Sequence, residues 1–195
     1  MNKRQFLSTA ALGLGAAALP GHAAKPSKTP GGPVLLTLTG AVGKSNRPAF
    51  DPAFDQMLGK HKVSFERAYS FDYAMLTALP AVTIKPTLEY DGKPHILRGP
   101  RLSQVLKVAG VPDDGVRILL QAIDGYAVVV TPAQIKQYDF ILATERDGLP
   151  LPLGGLGPLW AVYDADRIPE LAGKPLKERF ALSPWGVYHI GVQAG

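Results

Sequence analysis

The 195-residue sequence predicts an α+β domain, with short strands forming a mixed sheet or barrel and short helices between them. Three observations carry this reading. Short apolar or alternating runs recur along the chain and are bounded by Gly, Pro or Asp-Gly, as strands are. Only one stretch has the full spacing of an amphipathic helix. No internal repeat interrupts the pattern after residue 33, so residues 34–195 read as one domain with one core.

In chain order, Val34–Thr39 (Val-Leu-Leu-Thr-Leu-Thr) is a strand stopped by Gly40. Residues 48–59 suggest a short helix around Phe54, Met57 and Leu58, and residues 63–69 alternate like a half-buried strand. Ser70 or Asp72 can cap a helix that places Tyr73, Leu76 and Leu79 on one face before Pro80. Val82–Tyr90 favours a strand, with Pro86 implying an edge or bulge, and Asp91-Gly92 turns it back into 93–98. The best helix follows: Leu102, Val105, Leu106 and Ala109 form a stripe, and Gly110 marks its stop. Residues 116–123 and 126–131 read as strands joined at Asp124-Gly125, and Pro132 opens another short helix. Strands over 140–144, 159–163 and 187–192 complete the domain.

The first 24 residues read as a bacterial signal peptide. Asn2, Lys3 and Arg4 are its positive start, residues 7–19 its apolar stretch, and Gly21-His22-Ala23-Ala24 its small-residue cleavage region. Lys3-Arg4-Gln5-Phe6-Leu7 is similar to the twin-arginine pattern with Lys in the first place, so twin-arginine-like and general secretory export both stay open. The expected location is the periplasm. Residues 25–33, rich in Lys, Pro and Gly, form a flexible lead-in. Removing Lys3 and Arg4 from 21 basic residues leaves a mild positive excess over 16 acidic ones. With no basic run interleaved with aromatics, a nucleic-acid partner is not expected. The apolar stretch is too short to span a bilayer, so the exported chain is not expected to be membrane-spanning.

There is no cysteine. Disulfides, thiolate metal ligands and thiol nucleophiles are thereby excluded. No Gly-x-Ser-x-Gly elbow is present. His61, His95 and His189 lack metal-ligand spacing and read as surface or satisfied histidines. Asp164-Ala165-Asp166 is too short for a calcium loop and reads as a solvated turn. Glu145 and Asp147 are a weak acid/base signal.

A set of segments in register says more. Leu79-Pro80-Ala81-Val82-Thr83-Ile84 is followed by Leu97-Arg98-Gly99-Pro100-Arg101-Leu102, then Asp124-Gly125-Tyr126, then Asp147-Gly148-Leu149-Pro150-Leu151. Gly157-Pro158-Leu159-Trp160-Ala161-Val162-Tyr163 and Ser183-Pro184-Trp185 close the series. From about Leu76 to Val192 this order resembles the molybdopterin-binding domain of the sulfite oxidase family. The resemblance implies a sulfite-oxidase-type fold and, in the family's enzymes, a pterin-bound molybdenum held by a cysteine thiolate. Here Glu89, Tyr90 and Asp91 stand in that neighbourhood, and Pro184 precedes Trp185 where the enzymes carry Lys.

The cysteine-free, exported form is similar to periplasmic pterin-binding regulators, which implies a reduced pterin as ligand and an inner-membrane sensor controlling cyclic-di-GMP as partner. Trp185, Tyr163 and Tyr126 are then the stacking platforms, with Asp124, Ser183 and Arg98 reading the ligand's edges and Gly155 and Gly157 allowing close approach. Two alternatives stay open: a periplasmic molybdopterin-dependent oxidoreductase, with solvent or Glu89 replacing the thiolate, and a ligand-free adaptor on the same scaffold.

Overall fold

A computed structural model describes residues 29–195. The expected signal peptide and the first part of the lead-in lie outside the described residues. Among the described residues, no helix is long and apolar enough to cross a membrane.

The central sheet has five strands: β1 (Val34–Gly40), β2 (Ala68–Asp72), β5 (Val116–Ala122), β6 (Ala127–Val130) and β11 (Val187–Ala194). Their order is β2-β1-β11-β5-β6; β1 and β11 run parallel and the other neighbours antiparallel. A second sheet combines β3 (Ala81–Ile84), β4 (Leu97–Pro100), β8 (Glu145–Arg146) and β9 (Leu149–Pro150), while β7 (Ile141–Ala143) pairs β10 (Trp160–Val162). The helices are α1 (Gln56–Lys60), α2 (Tyr73–Thr77), α3 (Leu102–Ala109), α4 (Pro132–Gln137), α5 (Pro169–Ala172) and α6 (Leu176–Arg179). The α+β class and the mixed sheet are as expected. The barrel alternative is corrected: β2 and β6 end the large sheet without meeting, so none of the sheets closes.

One face of the large sheet carries the main core. Leu36, Leu38, Ile118, Leu120, Ile190 and Val192 pack there with the buried stripe of α3, in which Leu102, Val105, Leu106 and Ala109 are all buried. Gly110 ends that helix at φ 75°, a left-handed conformation that glycine adopts without a Cβ clash. The opposite face carries a smaller cluster, Leu58, Phe65 and Ala68, beside a polar row. That row is internally bonded: Thr37 meets Ser70 at 3.2 Å, and His189 meets Thr39 at 2.8 Å and Gln121 at 2.9 Å. Buried polar atoms so paired avoid most of the desolvation cost of leaving water.

Several element boundaries differ from expectation. The strand expected over 63–69 lies at β2, which is buried at every position because both faces of the sheet are covered there. Such a strand has no alternation to read. In the 48–59 segment only Gln56–Lys60 is helical; Leu58 is buried while Phe54 and Met57 are exposed. Asp72, not Ser70, caps α2 by accepting the Met75 N–H at 2.7 Å, and Met75 takes the inward place expected for Tyr73. The strand expected to reach Tyr90 stops at Ile84, just before Lys85-Pro86, and the chain continues as an irregular tip closed over 88–92. Asp164 and Asp166 are more than a solvated turn, since they accept the Lys85 and Thr87 N–H groups at 3.4 and 2.7 Å and so anchor the base of that tip.

Candidate functional site

A cavity of about 300 Å³ opens at one end of the large sheet, at the lower limit for small-molecule sites. Three segments wall it: the tip that carries Glu89 and Tyr90, the β5–β6 turn with Asp124 and Tyr126, and the 177–185 stretch that ends in Trp185. The turn is fixed locally. Gly125 sits at φ 93°, the Asp124 carboxylate accepts the Tyr126 N–H at 2.9 Å, and Ala122 N–H donates to the Tyr126 carbonyl at 2.8 Å. The start of β11 is tied to the same place by the Ile123 N–H, which donates to the Gly186 carbonyl at 3.0 Å.

Four of the eight residues named from the sequence line this cavity: Asp124, Tyr126, Ser183 and Trp185. Trp185 is 41% exposed and Tyr126 49%, so each presents a ring to solvent or to a ligand. Tyr126 is held in place by its hydroxyl, which donates to the Ala181 carbonyl at 2.8 Å. Ser183 differs from both. It is 5% exposed, and its Oγ is buried with no hydrogen-bond partner in bonding geometry, although the nearby Tyr163 hydroxyl lies within range of a weak interaction. The Tyr163 hydroxyl gives its own proton to the Arg179 carbonyl at 2.7 Å.

The other four stand elsewhere. Tyr163 is 1% exposed and packs edge-on to Phe140 at 4.7 Å and stacked on Phe180 at 6.1 Å. It forms the layer beneath the cavity rather than its wall, and burial raises its phenol pKa. Arg98 lies on β4 and donates to Glu145 at 3.0 Å, which holds it on the smaller sheet. Gly155 and Gly157 belong to a tight loop in which both N–H groups donate to the Pro152 carbonyl, at 3.1 and 3.2 Å. A Cβ on Gly157 would stand 2.4 Å from the Leu151 carbonyl oxygen, so this glycine serves the chain's own close approach. Neither glycine lines the cavity.

The cavity also holds residues that were not named as site residues. Glu89 and Tyr90 form one wall; Lys177, Phe180 and Ala181 form another. The register signalled the first pair. Nothing in the spacing of the sequence links 177–181 to 89–90. Burial raises the Tyr90 pKa, and the adjacent Glu89 carboxylate raises it further, so the phenol stays protonated as a donor beside Trp185.

A larger apolar groove of about 640 Å³ runs on the other side of the β5 end, where Ile123 lines it while Asp124 faces the smaller cavity. Phe54, Met57 and Leu153 stand exposed along it, and the Arg47–Asp55 pair, in which one guanidinium nitrogen donates to both carboxylate oxygens at 2.7 Å, closes one side. The remaining acidic candidates are separated: Glu145 pairs with Arg98, whereas Asp147 pairs with His95.

No protein-family model and no curated protein sequence matches the chain. Among solved structures it is similar to the sulfane dehydrogenase SoxCD from Paracoccus pantotrophus, with TM-score 0.53 and 16% sequence identity. The fold is of the sulfite-oxidase type. The match covers 81% of this chain but only 37% of the SoxCD chain, so this protein spans well under half of the enzyme it resembles in fold. The donor set at the cavity does not fit molybdenum as the family holds it. It offers carboxylate, phenol and hydroxyl oxygens but no soft thiolate, and the described residues contain no His/Cys/Asp/Glu group arranged to hold a metal ion.

Proposed function

We propose that this chain is a periplasmic, non-catalytic receptor for a reduced pterin, bound in the cavity between the 88–92 tip, the β5–β6 turn and Trp185. The observation that carries the reading is a cavity lined by three exposed aromatic rings and two carboxylates, with Ser183 beside them. A reduced pterin has a flat pyrimidinone ring with a 2-amino group and an adjacent ring N–H on one edge. A carboxylate accepts from both donors at once, and Glu89 or Asp124 is suited to that edge. Tyr90, Tyr126 and Trp185 supply π-faces for the rings, and Ser183 supplies a further donor or acceptor. The absent thiolate supports a ligand without molybdenum.

Binding of tetrahydropterin to the purified chain, followed by Trp fluorescence and calorimetry, tests this directly. A dissociation constant below ~100 μM is expected, which corresponds to about −5.5 kcal/mol. No heat and no quenching at that concentration would remove the reading. Signalling to an inner-membrane sensor that controls cyclic-di-GMP belongs to the same proposal and rests on the resemblance. Its test is whether Ser183→Ala and Trp185→Ala change cellular cyclic-di-GMP in the direction that pterin depletion does.

The alternative of a molybdopterin-dependent oxidoreductase has one supporting observation, the fold shared with a dehydrogenase. Molybdenum analysis of protein purified from its native host separates the two: a stoichiometric metal would select the enzyme.

A further inference from the structure

The tip that brings Glu89 and Tyr90 to the cavity is anchored at its base by Asp164 and Asp166, and one imidazole ties its Asp91 to the smaller sheet. His95 sits below it with a mostly buried side chain, 14% exposed. Its Nε2 lies 2.9 Å from an Asp91 carboxylate oxygen and its Nδ1 2.6 Å from an Asp147 oxygen. A neutral imidazole has one N–H and one lone pair, so it would turn a lone pair onto one of these carboxylates; the imidazolium donates to both. The two carboxylates belong to different pieces of structure. Asp91 adjoins Tyr90 on the cavity wall, whereas Asp147 lies in the β8–β9 turn of the smaller sheet and accepts the Ile96 N–H at 2.9 Å. The charged groups around the ring are all within these two segments: Asp91 with nearby Lys93, and Asp147 with Arg146 at 3.6 Å. Within the tip, Gly92 N–H donates to the Leu88 carbonyl, Leu88 N–H to Lys93 and His95 N–H to Pro86, while Lys93 N–H donates to the Asp91 carboxylate at 3.1 Å.

We propose that protonated His95 is a positioning residue that clamps the cavity wall, so that ligand binding is gated by pH. With the proton in place, Asp91 is drawn to the smaller sheet and Tyr90 and Glu89 stand against Trp185. Loss of the proton sets a lone pair against a carboxylate, releases the 88–92 tip and opens that wall. The proton leaves to solvent and no covalent bond changes. The hydrogen bond to Asp147, followed by that to Asp91, raises the ring's pKa, so the clamp is released at a higher pH than that at which an ordinary imidazole loses its proton. The ligand arm of this inference rests on the pterin reading; the clamp itself does not.

The experiment therefore has two arms. In ligand-free protein, the His95 imidazole is titrated by NMR and Trp emission is followed over the same pH range. A Trp emission change with the midpoint of His95 is expected, absent in His95→Gln and moved to lower pH in Asp147→Asn. Emission that ignores His95 titration, or that persists in His95→Gln, overturns the clamp. In the second arm, tetrahydropterin affinity should weaken about fivefold between a pH well below the His95 midpoint and one unit above it, approaching tenfold at higher pH, the equivalent of a one-unit pKa difference between free and bound protein. His95→Gln should bind weakly with a flatter profile, which controls for titration of the ligand. An identical profile in wild type and His95→Gln overturns the gating. If no pterin binds at any pH, the receptor reading fails and the ligand-free arm alone decides the clamp.

Discussion

The sheet interior and the hairpin tip each hold a histidine with both ring nitrogens bonded, and the two surroundings push the rings towards opposite charge states. His189 lies 2% exposed between Thr39 and Gln121, two neutral partners. Burial pushes its pKa down to about 4, with nearby His61 adding to the fall, so it is neutral and structural. His95 lies between two carboxylates and is driven towards the cation. Burial among neutral dipoles disfavours the charge, while two opposite charges at hydrogen-bond distance favour it. The sheet is therefore built to stay fixed. The tip is built on an interaction that titrates.

Truncation should separate the two regions most sharply. Leu120→Ala removes a fully buried core side chain and is expected to cost roughly 2–5 kcal/mol in urea unfolding, with ligand affinity unchanged wherever the protein stays folded. Tyr90→Ala removes a ring that is 56% exposed and should alter stability by no more than about 0.5 kcal/mol, while lowering pterin affinity at least tenfold. Equal effects of both on stability would erase the distinction between frame and wall.

The pH dependence of the frame is the next largest effect. Above about pH 6.5 His189 is neutral folded and unfolded, and imposes no pH dependence. As pH falls towards 4, the unfolded chain takes up the proton that the folded chain refuses, so stability is lost across that window, by up to about 3 kcal/mol. Urea midpoints at neutral and acid pH should show this loss in wild type and a smaller one in His189→Gln. Asp72 acts lower on the scale. The Met75 N–H, followed by those of Gly32 and Gly31, depresses its pKa, so its contribution is present above its ordinary value near 3.8 and is lost as pH falls through the folded value. Asp72→Ala should cost about 1–2 kcal/mol at neutral pH as the α2 cap is removed.

The same contrast governs what the sequence made legible. Elements with one covered face announced themselves: α3 by its stripe, and the β5–β6 hairpin by Asp124-Gly125. The ordered segments pointed towards the kind of fold that the likeness to SoxCD supports. β2 was not, because it is covered on both faces and carries no alternation. At the cavity, the Asp-Gly-Tyr and Ser-Pro-Trp segments of the resemblance pointed to Asp124, Tyr126, Ser183 and Trp185, which line it. Arg98 was drawn away by Glu145, and Tyr163 was taken into an aromatic cluster with Phe140 and Phe180. Those choices depend on neighbours distant in sequence, and no single-sequence spacing encodes them. The His95 clamp is of that kind as well, since Asp147 reaches it from 52 residues away.

The smallest expected effect tests the comparison from its other side. A base whose folded pKa is raised contributes stability that is fully present below its unfolded value near 6.5 and is lost as pH rises through the folded value. His95 therefore trims the alkaline limb of the stability curve while His189 trims the acid limb, and the two slopes have opposite sign. The partners of His95 are themselves well exposed, so solvent screens the pair and its share of stability is slight. Melting temperature measured against pH should lose its shallow alkaline slope in His95→Gln and keep its acid slope. High salt should imitate that variant in the wild type, because screening reaches the tip but not the buried Thr39–His189–Gln121 row. An alkaline slope that survives both the substitution and high salt would assign it to another group, and the tip would then be as fixed as the sheet.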